Sequence, residues 1–408
     1  MFAQIRNIIV LGYLPDPFLH SKLDSFTDWY NPAYWAHNPG AYDVWRSIYP
    51  PLCFVVLWLF SNSSCYNFSV YGARDCDPVG IIFCSVLTVV NFFLALAIFW
   101  KVDRRTAVPR AIALGLGFPS LYAWERGNLI IPCFTAYLLA HGNILKSGWL
   151  KAMCAAVTLN FKPYLILAVT GRIIKRDWIW LEWCALFFVA IYAASYAFFG
   201  AGDPLILLRN TSGFEHTADP DLLGFTSSYT AILMIVKLPL PYIAYLGSNP
   251  IEFAERIIPI LIYAGAVGVG LCLAYVTFRP HVCTRGRASA LLLLLFMSMS
   301  TAPGGYSVQF ALLFVFFERW SGPGRALALI CGYLWCVTAD VAALPIFHDY
   351  GYSFLGRRMA NYDLTLTWGM LARPGLLLLM EYGLVASTAY EILLDARAVR
   401  RARLAALV

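Results

Sequence analysis

Uninterrupted apolar segments about as long as a bilayer is thick constrain the fold of this chain more than any other feature. A helix needs about 20 apolar residues to cross the hydrocarbon core of a membrane. The segments that reach this length are 79–100, 178–199, 257–278, 326–347 and 369–392. Shorter or interrupted apolar segments cover 111–124, 129–143, 152–171, 288–302 and 307–318. The sequence therefore predicts an all-α, polytopic transmembrane helical bundle with roughly 10–13 membrane segments, several of them broken or re-entrant.

Composition agrees with a membrane protein and excludes the large soluble classes. Of the 408 residues, 60% are hydrophobic and 13% are charged, whereas about a quarter of the residues in a soluble domain are charged. The mean hydropathy of +0.66 leaves no room for a large soluble domain. The net charge of +7 does not indicate nucleic-acid binding, because no basic stripe falls on a soluble surface.

The basic residues predict which loops face the cytoplasm. Most of the 30 Lys and Arg residues lie in short hydrophilic segments, which stay on the cytoplasmic side of a membrane. These segments are 101–110, 146–151, 172–176, 279–287, 319–325 and 397–403. The remaining polar loops then face outward, and they are 15–47, 125–128, 200–226, 303–306 and 348–368. We expect one integral-membrane domain over 1–392, a basic cytoplasmic tail over 393–408, and a multi-pass location in the inner cell membrane.

Three points near the N-terminus stay open on the sequence alone. The first apolar run, 2–14, is too short to span and carries Arg6, so an opening helix is either truncated or begins upstream. Segment 48–60 is also too short, and it is re-entrant if loop 61–78 lies outside but crosses if that loop lies inside. Cys65 and Cys76 in this loop either form a disulfide on an oxidising, non-cytoplasmic face or remain two unpaired thiols.

Carboxylates and aromatic rings are concentrated in the first outward loop. Its central acids are Asp24, Asp28 and Asp43. The aromatic residues Trp29 and Tyr30 directly follow Asp28. Pro50 and Pro51 end the loop, and because they cannot both sit in a regular helix interior, the loop is structured where it meets the bilayer. A carboxylate at a membrane boundary is a candidate general base, although each of these acids can equally be a solvated loop residue.

Four short patches occur in order between residues 28 and 309. The first patch is the first outward loop, which contains Asp28, Asn38-Pro-Gly-Ala-Tyr42 and Tyr49-Pro-Pro-Leu52. The other three are Gly127-Asn128, Lys162-Pro163 and Ser300-Thr-Ala-Pro303. Together they resemble polytopic glycosyltransferases of the GT-C fold, and they are most similar to glycosyltransferase family 87, the polyprenyl-phosphate-mannose-dependent mannosyltransferase-like group. Two features depart from that family. The Gln of its Gly-Gln-x-Asn turn is missing. The histidine or tryptophan near its Ser-Pro-x-Ser-Trp segment has no clear counterpart here, and Tyr306 is the candidate to supply that ring.

The resemblance implies a membrane glycosyltransferase with an inverting mechanism. Such an enzyme moves a hexose, mannose in this family, from a polyprenyl-phosphate donor to a hydroxyl of a glycolipid or polysaccharide precursor on the extracytoplasmic face. Asp28 occupies the position of the expected catalytic base, and Asp24, one helical turn earlier, competes for this role. The implied partners are the bilayer, the lipid-linked donor and the acceptor. No cofactor is implied, and the use of a divalent metal stays open.

Cations and aromatic rings are the candidate binding residues. Lys162 is the first candidate for the departing phosphate, because a charge inside a broken transmembrane segment is expensive and usually functional, with a snorkelling lysine as the alternative. Arg126, beside Gly127, is the second candidate. Arg357 and Arg358 bind either the phosphate or anionic headgroups. The further candidates for contact with substrate are Asn128, Trp29, Tyr30, Tyr34, Trp35, Tyr49, Tyr306 and His216.

Loop 200–226 carries a second group of acids. Asp219-Pro-Asp221 has the form of a DxD motif, which holds a divalent metal in other glycosyltransferases, but two acids in an acidic loop also coincide by chance. We therefore regard Asp219 and Asp221 as secondary acid candidates, and predict no metal site.

Two other classes of function compete with the enzyme. A transporter or flippase of lipid-linked sugars predicts inverted repeats and paired charged residues at the membrane midplane, and the sequence reveals neither apart from Lys162. A non-catalytic subunit of an envelope-polysaccharide assembly complex is the other alternative.

Overall fold

The computed structural model describes Arg6, Leu14, Phe18, 25–67, 69–214, 228–229, 248–300, 304–342, 347–352, 359–364 and 367–405. Several of the candidate site residues lie outside the described residues. They are Asp24, His216, Asp219, Asp221, Arg357 and Arg358.

The described chain is helical, with one β-hairpin. Its first helices are α1 Thr27–His37, α2 Pro51–Leu59, α3 Val70–Cys76, α4 Val79–Val102, α5 Ala107–Leu116, α6 Phe118–Arg126, α7 Ile130–His141 and α8 Gly148–Phe161. The later ones are α9 Thr170–Ile174, α10 Trp178–Phe199, α11 Pro204–Phe214, α12 Ser248–Phe278, α13 Arg285–Met299, α14 Val308–Val315, α15 Pro323–Trp335 and α16 Trp368–Ala405. Strands β1 Phe347–Tyr352 and β2 Met359–Leu364 pair antiparallel within the loop predicted over 348–368.

Helices long and apolar enough to cross a membrane are present, as the sequence predicts. In the described part of the chain there are four such spans: Val79–Val102, Trp178–Phe199, Glu255–Phe278 and Ala372–Ala402. They correspond to four of the five long apolar segments of the sequence. Between them, α14 is buried along its whole length, as expected of a helix that is apolar on every face and lies in the middle of a bundle.

The prediction of a spanning helix over 326–347 is wrong. Helix α15 ends at Trp335, and its 13 residues extend only about 20 Å, which is short of a bilayer core of about 30 Å. Beyond it, buried Asp340 pairs with Nη1 of buried Arg373 at 3.1 Å and accepts a hydrogen bond from the Thr367 hydroxyl at 2.9 Å. A carboxylate buried in an apolar segment needs such partners, and the chain leaves the helix to reach them.

The break predicted at Lys162-Pro163 is confirmed. Helix α8 ends at Phe161, Lys162 is extended with φ −139° and ψ 94°, and a 3₁₀ helix covers Pro163–Val169 before α9 begins. The cause is local, since a proline disfavours the helical conformation of the residue before it and brings no N–H of its own.

The segment around α2 forms a helix that is too short to cross a membrane. Its nine residues extend about 14 Å. The chain enters α2 from Tyr49, which lies close to Asp28 on α1, and leaves it at Ser61, whose hydroxyl is 2.7 Å from Nε2 of His37 at the other end of α1. Loop 61–78 therefore lies beside α1, on the same side of the bundle. Of the two alternatives left open by the sequence, the non-crossing one fits.

A disulfide and a long last helix complete the fold. Cys65 and Cys76 form a disulfide, which links the turn Ser63–Tyr66 to the end of α3. At the C-terminus, α16 continues without a break past residue 392 to Ala405.

Candidate functional site

The site is built where the start of α1 meets the end of α6. The backbone N–H of Phe26 donates to the carbonyl of Glu125 at 2.8 Å, and the Ser25 hydroxyl donates to Oε1 of Glu125 at 3.1 Å. Phe26 adopts a left-handed backbone conformation with φ 59°, which is uncommon for a bulky residue. These contacts fix Asp28, in the first turn of α1, next to the turn that follows α6.

That turn depends on Gly127. This glycine ends α6 with φ 62°, and a Cβ at its position would lie 2.8 Å from Cδ1 of Phe26. The backbone N–H groups of Gly127 and Asn128 donate to the carbonyls of Trp124 and Ala123, both at 2.9 Å. Only glycine combines the left-handed conformation with this close approach, and the turn places its two neighbours against α1.

Both oxygens of the Asp28 carboxylate are held by these neighbours. Nη2 of Arg126 donates to Oδ1 at 2.8 Å, and Nδ2 of Asn128 donates to Oδ2 at 2.6 Å. The Asn128 amide is itself fixed, because its Oδ1 accepts from the backbone N–H of Ile130 at 2.9 Å, at the start of α7. The Asp28 side chain keeps 18% of its surface exposed, so an incoming hydroxyl can still reach it.

Tyrosine hydroxyls surround this carboxylate. Burial, and next the negative charge of Asp28, raises the pKa of Tyr49 well above its usual range. The same two causes, in the same order, raise the pKa of Tyr306. Both phenols therefore keep their protons at physiological pH and serve as neutral hydrogen-bond donors or acceptors. The ring of Tyr122, a residue with no distinguishing signal in the sequence, lies 5.7 Å from that of Tyr306.

Lys162 completes the group. Its ammonium lies 4.7 Å from the centre of the Tyr49 ring. It is also near enough to Asp28 for the two opposite charges to attract each other. The side chain is half-buried, and within the described ranges it makes no hydrogen bond or ion pair. It is thus a cation available to an anionic ligand. The structure brings together six of the predicted site residues: Asp28, Arg126, Asn128, Tyr49, Lys162 and Tyr306.

Trp29 and Tyr30, predicted from the sequence as candidates for contact with substrate, are not accessible to one. Both side chains are completely buried. Trp29 packs against Gly80 and Phe83, and the Tyr30 hydroxyl donates to the backbone carbonyl of Asp77. They point away from Asp28 because the face of α1 on which they lie docks against loop 61–78 and α4.

Tyr34 and Trp35, one turn later, are half-buried and remain accessible at the surface. Their rings lie 5.8 Å and 6.0 Å from the ring of Trp45.

A second charged group, which the sequence motifs above do not include, lies at Glu381. Glu381 is completely buried within the span Ala372–Ala402, where its Oε2 accepts a hydrogen bond from the Ser298 hydroxyl at 3.0 Å. Its Oε1 has no hydrogen-bond partner among the residues that the structure describes. A Cβ at Gly265 would lie 2.5 Å from Oε1, so α12 packs directly on this carboxyl. The signal was available, since Glu381 interrupts an apolar segment.

No known protein family, characterised protein or solved structure matches this chain. Among the described residues, no three His, Cys, Asp or Glu side chains converge as ligands for a metal ion.

Proposed function

We propose that this chain is a membrane glycosyltransferase that moves a hexose from a polyprenyl-phosphate donor to a hydroxyl of a glycolipid or polysaccharide precursor. The observation that carries the proposal is the Asp28 carboxylate, which is anchored at both oxygens and partly exposed. The Lys162 ammonium lies near it and has no ion-pair partner among the described residues. The choice of mannose rests on the resemblance to family 87, and the extracytoplasmic face rests on the distribution of basic loops.

Asp28 is suited to act as the general base. A carboxylate has about four lone-pair sites, and Arg126 and Asn128 occupy one on each oxygen, so a further site on either oxygen can accept a proton. In the transfer step the acceptor oxygen bonds to the anomeric carbon while the bond from that carbon to the phosphate oxygen breaks. The hydroxyl proton passes to Asp28, and the phosphate leaves with the electron pair.

The departing phosphate needs positive charge nearby. Lys162 supplies a point charge, and Arg126 supplies a planar fork of N–H donors that matches phosphate geometry. Because a lipid phosphate is a good leaving group, the reaction requires no protein acid. The protonated hydroxyls of Tyr49 and Tyr306 are placed to bind sugar hydroxyls beside the carboxylate.

The test is Asp28→Asn in a membrane assay with a labelled polyprenyl-phosphate sugar. This variant keeps the shape of the side chain and the contact with Arg126, but it removes the base, so transfer is expected to fall about 10²–10⁴-fold. Asp43→Asn is the matched control, because Asp43 is an exposed acid of the same loop, and it should retain full transfer. Full transfer by a folded Asp28→Asn variant would exclude Asp28 as the base.

A second candidate function, transport of the lipid-linked sugar, rests on Glu381. An ionisable carboxyl inside a spanning helix is typical of ion and proton pathways in transporters, and Oε1 of Glu381 has no partner in the described part of the chain. The same assay separates the two functions. A transporter moves the labelled lipid across the bilayer without consuming it, and its activity responds to Glu381→Gln rather than to Asp28→Asn.

A further inference from the structure

Four cations gather far from Asp28, at the other ends of the helices that lead to it. Helix α4 begins at Val79, beside the Asp77 carboxylate that also binds Tyr66, and reaches Lys101 after about 33 Å, which is the thickness of a bilayer core. Likewise, α8 ends next to Lys162, and its first turn contains Lys151. The group, here called the basic cluster, consists of Lys101, Lys151, Arg172 and Arg285.

Two of these cations are held by close packing. Nη1 of Arg172 lies 2.5 Å from Oδ2 of Asp177, and Nη1 of Arg285 lies 3.5 Å from the same oxygen. Gly171 lets α9 approach the start of α13, since a Cβ at this position would collide with the backbone carbonyl of Arg285. The Gly171 N–H also donates to the Ser289 hydroxyl at 3.2 Å. The two guanidiniums are therefore presented on a rigid frame.

The positive charge of the basic cluster is poorly compensated. In the described part of the chain, Asp177 is the one carboxylate that pairs with any of the four cations. Lys151 is half-buried, and burial lowers its pKa, which the positive charges of Arg172, Arg285 and Lys101 lower further. Within the described ranges, the Lys101 ammonium has one partner, the carbonyl of Asn143 at 3.2 Å. An anion bound among these side chains would relieve their repulsion.

The surroundings place the basic cluster at the depth of lipid headgroups. The spanning helix α10 begins at Trp178, directly after Asp177, and Lys101 lies in the last turn of the span α4. Trp149, Trp178 and Trp183 are exposed around it, with side chains that are 51%, 56% and 44% exposed. Exposed indoles at the end of a spanning helix are typical of the interface between hydrocarbon and headgroups. A ligand at this position meets the bilayer before it meets bulk water.

The geometry points to a binding site for the phosphate headgroup of an anionic phospholipid, whose acyl chains lie along α10. Guanidinium groups bind phosphate oxygens through paired N–H donors, and each juxtamembrane Lys or Arg adds attraction to anionic lipid. The site is separate from Asp28, and this proposal does not depend on the proposed transfer reaction.

The experiment measures lipid binding to the purified chain in a neutral detergent, by native mass spectrometry and by the thermal denaturation midpoint. Phosphatidylglycerol is compared with phosphatidylcholine of the same acyl chains, and with inorganic phosphate as a soluble anion. We expect phosphatidylglycerol to bind and to raise the midpoint, and the other two to have little effect. Lys151→Gln and Arg285→Gln should each weaken phosphatidylglycerol binding about fivefold.

Arg400→Gln is the matched control, because Arg400 is an exposed cation near the end of α16 and outside the basic cluster. This variant should bind phosphatidylglycerol within about twofold of the unmodified chain. Substitution at Lys151 or Arg285 is expected to leave the fold intact. The Lys151 side chain makes no hydrogen bond in the described ranges, and the Arg285 side chain is 53% exposed. Equal binding of phosphatidylcholine, equal stabilisation by inorganic phosphate, or an equal loss in the control would each overturn the assignment.

Discussion

At the scale of single residues, Gly127 controls where the partners of Asp28 lie. We expect Gly127→Ala to destabilise the chain by about 1–2 kcal/mol, because a left-handed conformation is costly for any residue with a Cβ. The new Cβ also approaches Phe26, so relief of that contact displaces Arg126 and Asn128, and transfer should fall with stability. The thermal midpoint and the transfer rate are the two measurements.

Gly148→Ala is the matched control, because a Cβ there meets no atom within 4 Å and Gly148 lies at the start of a helix. It should leave the midpoint unchanged or raise it slightly. A Gly127→Ala variant as stable and active as this control would show that the turn does not position the site.

Single residues also show which features of the site the sequence predicts and which it does not. The Gly127 turn and the break at Lys162 are predictable, since glycine and proline impose their conformations locally. The burial of Trp29 and Tyr30 is not, because the orientation of an 11-residue helix is set by its partners, here loop 61–78 and α4. Nor does the spacing along the chain show that Arg126 and Asn128 meet Asp28.

At the scale of helices, a buried network of charges joins α13, α15 and α16. The guanidinium of Arg287 binds both oxygens of Glu318, at 2.7 Å and 2.6 Å, and its Nη1 binds Oε2 of Glu391 at 2.5 Å. Arg325 pairs with Glu391 and lies 3.5 Å from Glu318. We expect Arg287→Met to destabilise the fold by about 3–5 kcal/mol, because it leaves two carboxylates to share one guanidinium.

The measurement is the loss of native structure on heating in detergent, compared with Arg319→Met. Arg319 is exposed on the same side of the bundle, and its substitution should change the midpoint little. Equal midpoints for the two variants would mean that this network does not hold the helices together.

Helix lengths also show how far hydropathy predicts this fold. Segments 79–100 and 178–199 are found as α4 and α10 with nearly the same bounds, because an unbroken apolar stretch of this length has no other stable structure in a bilayer. The prediction of a spanning helix over 326–347 is wrong because the Asp340 carboxylate pairs with Arg373, about 30 positions further along the chain. A single acid changes the average hydropathy of a long apolar segment only slightly, so neither Asp340 nor Glu381 stands out in such an average.

At the scale of the whole molecule, the disulfide bears on the prediction that the site faces outward. Cys65 and Cys76 belong to loop 61–78, which packs against α1: the ring of Tyr66 stacks on His37 at 4.9 Å, and Tyr30 binds the backbone of Asp77. Asp28 and the disulfide therefore share one side of the bundle. Disulfides persist on oxidising faces, which agrees with the outward placement expected from the basic loops.

This placement predicts the pattern of labelling in intact cells. After treatment with a membrane-impermeant reductant, an impermeant maleimide should label Cys65 and Cys76 without permeabilisation, whereas a cysteine introduced by Arg400→Cys should react only in permeabilised cells. The double variant Cys65→Ser and Cys76→Ser defines the background, which should be low because eight of the other nine cysteines are buried. Labelling of the pair only after permeabilisation would place Asp28 on the cytoplasmic side. Transfer would then have to use a donor presented to the inner leaflet, and the orientation given by the basic loops would be reversed.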